Sequence, residues 1–196
     1  MLIQPLDIAD IDIVAEMLAK MWEKDIARGI EHIIEFSREV VLNMFFDPQL
    51  ALKACDDDGT LQAVALARMK NEVNISEQWV EDFLAANNDE ERKRVIDATA
   101  YLLRTERDLL NLMSDDSAKF SFLLSYKHGY ANALQEALKR LLIDRGARWT
   151  YHITDSTCNW QYFNSHGYER IHEELVKPFS TKEHPYYCFI YRKRII

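Results

Sequence analysis

The sequence is poor in glycine and proline, with 5 and 4 of these residues among 196. Long flexible linkers and collagen-like or low-complexity repeats need far more of both, so these architectures are excluded. Cysteine is also scarce, and its three residues, Cys55, Cys158 and Cys188, are odd in number and widely spaced. This usage indicates free thiols in a reducing compartment and not a disulfide framework.

Long apolar runs are missing too. No stretch approaches the roughly 20 apolar residues that a membrane span needs, and the first residues lack the basic and apolar segments of a secretion signal. Basic residues are fewer than acidic ones: the chain has 24 Lys and Arg and 32 Asp and Glu, which gives a formal net charge of −8. Nucleic acids and anionic membranes attract clustered basic residues, so neither is expected as a partner. We expect a cytoplasmic protein.

The chain has the material for a compact core. Hydrophobic residues make up 48% of it and aromatic residues 11%, and a chain of this size removes roughly 70% of its unfolded surface from water. The six histidines form no C-x-x-C or H-E-x-x-H arrangement, so no metal site is expected. No internal repeat or linker is visible, and residues 1–196 are expected to form one domain.

Apolar residues that recur every three or four positions predict helices, and short β-compatible runs predict strands. A short strand at 1–5 precedes a helix that begins near Ile11, and a second helix follows Gly29. Asp-Gly within residues 56–60 predicts a tight hairpin turn with an exposed acidic tip. The later elements are, in order, two helices within about 72–116, a strand at 119–126, a helix at 129–145, a strand at 149–154, a short helix at 160–166, and strands at 168–176 and 186–192.

Two local motifs lie at strand-to-helix junctions. The first is Tyr126-Lys127-His128-Gly129-Tyr130-Ala131, and the second runs from Thr154 to Tyr168 as TDSTCNWQYFNSHGY. With the order of elements, they resemble the GNAT superfamily of acetyl-coenzyme A dependent N-acetyltransferases. The resemblance implies an α/β fold with a mixed, mostly antiparallel GNAT-like sheet flanked by helices. The helical segment at about 72–116 is then an insertion between the third and fourth strands.

The first motif is similar to the family's cofactor loop, Q/R-x-x-G-x-G/A, in its G-x-A half. In the family, amides at the start of the following helix bind the cofactor pyrophosphate, which the helix dipole also favours. Tyr126 stands in place of the Gln or Arg of the family. The segment that leads into the helix is several residues shorter than in the family. The resemblance implies that acetyl-CoA is bound by Leu124, Ser125, Tyr126, His128, Gly129, Tyr130, Ala131 and Asn132.

The second motif implies further site residues. In the family, the Asn side of this segment contacts coenzyme A, and a tyrosine hydroxyl protonates the departing thiolate; the matching positions here are Asn159 and Phe163. A ring without a hydroxyl cannot be a general acid. Tyr162 is therefore the candidate catalytic residue, although one helical step of about 100° predicts that it faces elsewhere.

Ordinary structural roles compete with these assignments. Gly129 and Ala131 fit a tight turn, and Asn159 fits the N-cap of a short helix. Cys158 is interpreted as a buried thiol, with a nucleophile paired to His152 or His166 as the alternative. Tyrosines 126, 130 and 162 fit either an acceptor pocket or core packing.

The leading hypothesis is an N-acetyltransferase that moves acetyl from acetyl-CoA to a small-molecule or peptide amine. The alternative is a catalytically inactive GNAT-fold module that binds a ligand or another protein. A third possibility is a structural partner whose helical insertion forms a homodimer surface. No general base is identified, because no carboxylate stands on the presumed fourth strand.

Overall fold

The computed structural model describes residues 1–73, 77–85 and 89–196, so residues 74–76 and 86–88 of the expected insertion lie outside the described residues. Its centre is one sheet in the order β1-β2-β3-β4-β5-β7-β6. Every neighbouring pair is antiparallel except β4 and β5, which confirms the mixed, mostly antiparallel α/β fold. The strands are β1 Leu2–Pro5, β2 Ala51–Cys55, β3 Leu61–Met69, β4 Ser117–Ser125, β5 Trp149–Asp155, β6 Glu169–Leu175 and β7 Tyr187–Arg194.

Helices cover both faces of the sheet. They are α1 Ile11–Trp22, α2 Ile33–Val40, α3 Gln78–Ala85, α4 Asp89–Leu112, α5 Tyr130–Asp144 and α6 Gln161–Ser165. On one face, α1, α2 and α4 bury residues such as Leu18 and Val95 against Phe122 of β4. On the other, Leu134, Leu138 and Leu142 follow each other at four-residue spacing, and the sheet buries all three completely. These are called the α4 face and the α5 face below.

The segment before β2 differs from its prediction. The sequence pattern suggests one helix up to residue 45, but α2 ends at Val40 and a turn of π-helix, Val41–Phe45, follows. The amide of Phe46 donates to Val41 O at 2.7 Å, which is the wider i to i+5 spacing. The buried Arg68 guanidinium donates to the carbonyls of Asn43 and Phe46 and so satisfies the end of this turn.

The predicted hairpin is present between β2 and β3. Asp56 N donates to Thr60 O at 2.9 Å, and Gly59 N donates to Asp56 O at 3.0 Å. Gly59 has φ +87°, a conformation that favours glycine. None of the described helices has the length and apolar character to cross a membrane.

The feature that positions the site is a separation of β4 from β5. They pair only from Ser117 opposite Trp149 to Phe120 opposite His152. Beyond this point β4 stays paired with β3 and β5 with β7. The register between β3 and β4 shifts at the same place, which leaves Ser121 as an extra residue in β4. The two central strands therefore diverge, and a gap opens between them.

Candidate functional site

The gap between β4 and β5 leads into a cavity of about 700 Å³. Residues of α1 and α4 line it on one face of the sheet, and residues of α5 and α6 line it on the other. Tyr126 N donates to Gln62 O of β3 at 2.9 Å. Since successive amides of a strand alternate in direction, the amides of Leu123 and Ser125 face the gap. Among the described residues no strand pairs with β4 on this side beyond Phe120, so the cavity offers these strand amides to a ligand.

The loop that joins β4 to α5, residues 126–129, ends at a glycine with open space beside it. Gly129 has φ +85°, and a Cβ added there would meet no atom within 4 Å. It is the N-cap of α5, where no side chain caps the helix and no acidic residue occupies the first turn. Free amides and the positive end of the helix dipole form a suitable site for a phosphate group. The loop therefore has the backbone geometry of an anion site.

Asp56 at the hairpin tip holds this loop in place. Its carboxylate accepts from Lys127 Nζ at 2.7 and 2.9 Å and from the Tyr130 hydroxyl at 2.6 Å. The hydrogen bond from Lys127 keeps the pKa of Asp56 below its usual range. The prediction of a fully exposed acidic tip is therefore wrong for Asp56, which is half-buried, whereas Asp57 and Asp58 are exposed. Sequence pattern gave no sign of this link, because the partners lie more than 70 positions apart.

Most of the expected cofactor residues border the cavity. Leu124 and Tyr130 do not: Leu124 packs against the core of the α4 face, and the Tyr130 hydroxyl turns to Asp56. The backbone amide of Tyr130, in the first turn of α5, donates to Lys127 O at 3.3 Å. The expected residues that line the cavity are Ser125, Tyr126, His128, Gly129, Ala131, Asn132, Asn159, Phe163 and the candidate acid Tyr162.

Phe163 belongs to an aromatic cluster on the α5 face. Its ring stacks on Tyr191 with centroids 4.9 Å apart and lies 5.3 Å from the ring of His152. His152 in turn stacks on Phe120 at 4.7 Å. Burial, with a smaller contribution from Lys193, lowers the pKa of His152 to about 3, so its imidazole is neutral. Close ring packing explains an apolar side chain at position 163.

Tyr162 also lines the cavity, contrary to the expectation that it faces elsewhere. Helix α6 has only five residues, so neighbouring residues both border the cavity. The Tyr162 hydroxyl donates to Gln135 Oε1 at 3.2 Å, and Gln135 Nε2 donates to the Tyr168 hydroxyl at 2.6 Å. Burial raises the pKa of Tyr162. The hydroxyl therefore keeps its proton at neutral pH, as a general acid must.

The segment after β5 is organised by Asp155. Its Oδ1 accepts from the amides of Thr157 and Cys158 at 2.8 and 3.2 Å, and burial raises the pKa of the Cys158 thiol to about 12. A thiol this weakly acidic makes a poor nucleophile, which argues against the nucleophile alternative. The buried-thiol interpretation holds only in part, because Cys158 is half-buried and its thiol donates to Asp155 Oδ2 at 3.7 Å. The N-cap interpretation of Asn159 is wrong, because Trp160 is the N-cap of α6 and no side chain caps it.

The wall of the cavity contains an ion pair that was not predicted from the sequence. Glu106 of α4 and Lys119 of β4 are 2% and 1% exposed, and the Lys119 ammonium donates to Glu106 Oε1. A signal for it was present, because Glu106 interrupts an apolar stripe that includes Leu102 and Leu109. A charged residue within such a stripe is buried and needs a partner.

Comparison with solved structures identifies the fold. Arylalkylamine N-acetyltransferase 2 from Aedes aegypti is 14% identical with a TM-score of 0.60, and the match covers 100% of this chain and 99% of that one. A polyamine N-acetyltransferase from Drosophila melanogaster is 11% identical with a TM-score of 0.60, over 98% and 99% of the two chains. A ribosomal-protein-alanine N-acetyltransferase from Brucella melitensis is 13% identical with a TM-score of 0.56, over 99% of both chains.

The fold is therefore that of the GNAT N-acetyltransferases, as the sequence motifs suggested. No protein-family model matches the sequence, and no curated protein matches it either. At 11 to 14% identity the likeness concerns the fold alone, so the function has to be argued from the site.

Proposed function

We propose that the protein is an acetyl-CoA dependent N-acetyltransferase whose acceptor is a primary amine, carried by a small molecule or a peptide. The observation that carries this proposal is the cavity itself, in which diverging β-strands lie beside the uncapped start of α5. The printed names of structural neighbours, which include arylalkylamine and polyamine N-acetyltransferases, support an amine acceptor.

The residues of the α5 face fit the cofactor. The amides from His128 to Asn132 would hold the pyrophosphate, because the open space at Gly129 lets a phosphate approach the backbone. The strand amides at Leu123 and Ser125 would pair with the polar groups of the pantetheine arm, and Asn159 borders the same cavity. When bound, the cofactor supplies an acetyl group activated as a thioester.

The chain's own groups have three tasks. Strand amides facing the gap polarise the acetyl carbonyl, and the cavity walls orient the two reactants. The Tyr162 hydroxyl would donate its proton to the departing thiolate of coenzyme A, and the proton lost by the attacking amine would restore the hydroxyl. The hydroxyl now donates to Gln135 Oε1 and has to turn from that oxygen to act. Phe163 contributes packing to the wall.

Titration with acetyl-CoA in a calorimeter tests the proposal directly. We expect saturable binding to the purified chain, followed by release of free coenzyme A when a primary amine is added, measured with a thiol reagent. Absence of acetyl-CoA binding to the folded protein would overturn the proposal.

A second candidate, a GNAT-fold binding module without catalysis, is favoured by one observation. Phe163 occupies the position expected for the proton donor and is fixed among aromatic rings. This candidate predicts acetyl-CoA binding without release of coenzyme A for any amine. The same two measurements therefore separate it from the first.

A further inference from the structure

The α4 face of the cavity contains a buried carboxylate with an unused oxygen. Lys119 Nζ donates to Glu106 Oε1 and to Met44 O, the latter at 3.3 Å. The hydrogen bond of this carboxylate within the described part of the chain is made by Oε1, and Glu106 lines the cavity that also reaches Gly129 and Tyr162. The second oxygen, Oε2, is therefore available to a ligand that can donate a hydrogen bond.

The charges around Glu106 select the kind of donor. Lys119 is paired with it, and a second buried cation, Arg68, lies near enough to interact with it electrostatically. Arg68 is 7% exposed and donates to backbone carbonyls. Lys119 already balances the charge of Glu106 in this poorly solvated region, so the pair has no net charge with which to attract another cation. A neutral N–H donor fits this oxygen better than an ammonium group.

Most of the remaining wall of this half of the cavity is apolar, and the carboxylate of Asp155, which also lines the cavity, is occupied by Thr157 and Cys158. Trp22 and Phe45 pack edge to face with ring centroids 6.2 Å apart, and Phe45 stacks on Phe122 at 6.4 Å. Met21 and Tyr101 also line the cavity. Such walls bury an apolar or aromatic body and give no compensation for a second charged group.

We propose that Glu106 binds the acceptor amine. The acceptor is a primary monoamine with an apolar or aromatic body, bound in its neutral form, and its nitrogen donates an N–H to Glu106 Oε2. Lys119 is the positioning residue that fixes the carboxylate through its bond to Oε1. The proposal rests on the proposed acetyl transfer, which requires the same neutral amine as nucleophile. Glu106 is an acceptor-binding residue and takes no proton in this scheme.

Two variants test the proposal, with 2-phenylethylamine as the probe amine and putrescine as a dicationic comparison. Glu106→Gln presents an amide in place of the free carboxylate oxygen. The double variant Glu106→Leu with Lys119→Met replaces the whole ion pair by apolar side chains of similar size, a change that cores often tolerate. Asp97→Asn removes an exposed carboxylate from the same helix and is the matched control.

We expect the KM for 2-phenylethylamine to rise about tenfold or more in each folded Glu106 variant, because a hydrogen bond to a charged group is lost. The acetyl-CoA affinity of the Glu106 variants should stay within about twofold of the parent value. For Asp97→Asn, both the KM for 2-phenylethylamine and the acetyl-CoA affinity should stay within about twofold. For putrescine we expect a parent KM at least about tenfold higher than for the monoamine. A parent-like KM in the folded double variant would show that the pair is structural only and would overturn the proposal.

Direct titration of 2-phenylethylamine separates this proposal from the proposed acetyl transfer. If the parent fails to bind acetyl-CoA but binds the amine, and the double variant does not, the acetyltransferase function is wrong and the amine site stands. If the parent binds acetyl-CoA but shows neither amine binding nor amine turnover, the Glu106 assignment is overturned and the cofactor site stands.

Discussion

The two halves of the cavity are built in different ways. On the α5 face, the loop 126–129 and the segment from Asp155 to Phe163 supply site residues that are near neighbours in the chain. On the α4 face, the wall combines Trp22, Phe45, Glu106 and Lys119, which come from four separate elements. A site made of contiguous residues leaves a motif in the sequence, and a site assembled by packing does not. This difference explains why sequence motifs pointed to the residues of the α5 face and not to those of the α4 face.

The largest expected effect is a loss of folding stability at low pH, which we attribute to His152 on the α5 face. His152 is buried with its pKa lowered to about 3 by desolvation, so the folded chain resists a proton that the unfolded chain accepts near pH 6.5. Its contribution to stability is complete above about pH 6.5 and is lost as the pH falls toward 3. The shift is equivalent to about 5 kcal/mol across that window.

Urea unfolding of the parent and of His152→Phe at several pH values between 3 and 7 measures this contribution. His152→Phe should lose a large part of the pH dependence of the free energy of unfolding. The control His184→Asn, which replaces an exposed histidine, should keep that dependence. If both variants keep the parent slope, the acid sensitivity lies elsewhere, and the buried ion pair of the α4 face becomes the first place to examine.

The next effect concerns the proton donor on α6. Tyr162→Phe should lower kcat by about a hundredfold, since a positioned general acid is typically worth that much or more. Its KM for acetyl-CoA should change little, because the ring that lines the cavity is retained. Steady-state kinetics with Phe163→Tyr as companion checks the assignment. If Phe163→Tyr gains turnover while Tyr162→Phe loses none, the acid belongs at position 163 and the assignment of Tyr162 is wrong.

Much of the fold followed from sequence pattern, for physical reasons that can be named. The four-residue spacing of Leu134, Leu138 and Leu142 predicts a helix that buries this one face. The Asp-Gly pair predicts a tight hairpin turn, and Gly59 has the positive φ that such a turn needs. The π-helical turn at Val41–Phe45 was not predictable, because its i to i+5 bonds depend on Arg68 and other partners that tertiary packing supplies. The orientation of Tyr162 likewise depends on how short α6 is and on its contact with Gln135.

A smaller but more local effect is expected at the start of α5. Gly129→Val should weaken acetyl-CoA binding by about tenfold or more, because a side chain at φ +85° is strained and fills the space through which a phosphate would reach the amides. Gly146→Val is a matched control, since it has φ +89°, equally open surroundings and a position just after the other end of the same helix. Both variants should lose similar stability. Equal loss of cofactor affinity in the two, measured by calorimetry, would contradict the pyrophosphate site.

The smallest expected effect comes from Asp56, which joins the hairpin tip to the loop 126–129. Asp56→Asn removes the ion pair with Lys127 and weakens the bond from Tyr130, so we expect acetyl-CoA affinity to fall by about threefold as the loop loses its fixed position. Because Lys127 lowers the pKa of Asp56, the link is intact above the carboxyl's ordinary range and is lost as the pH falls through its lowered pKa. Calorimetric titration of Asp57→Asn, an exposed neighbour on the same tip, provides the control. If Asp56→Asn binds acetyl-CoA as tightly as Asp57→Asn, the loop 126–129 is held by its own backbone. Contacts from distant residues such as Asp56 are then not needed for the proposed cofactor binding on the α5 face.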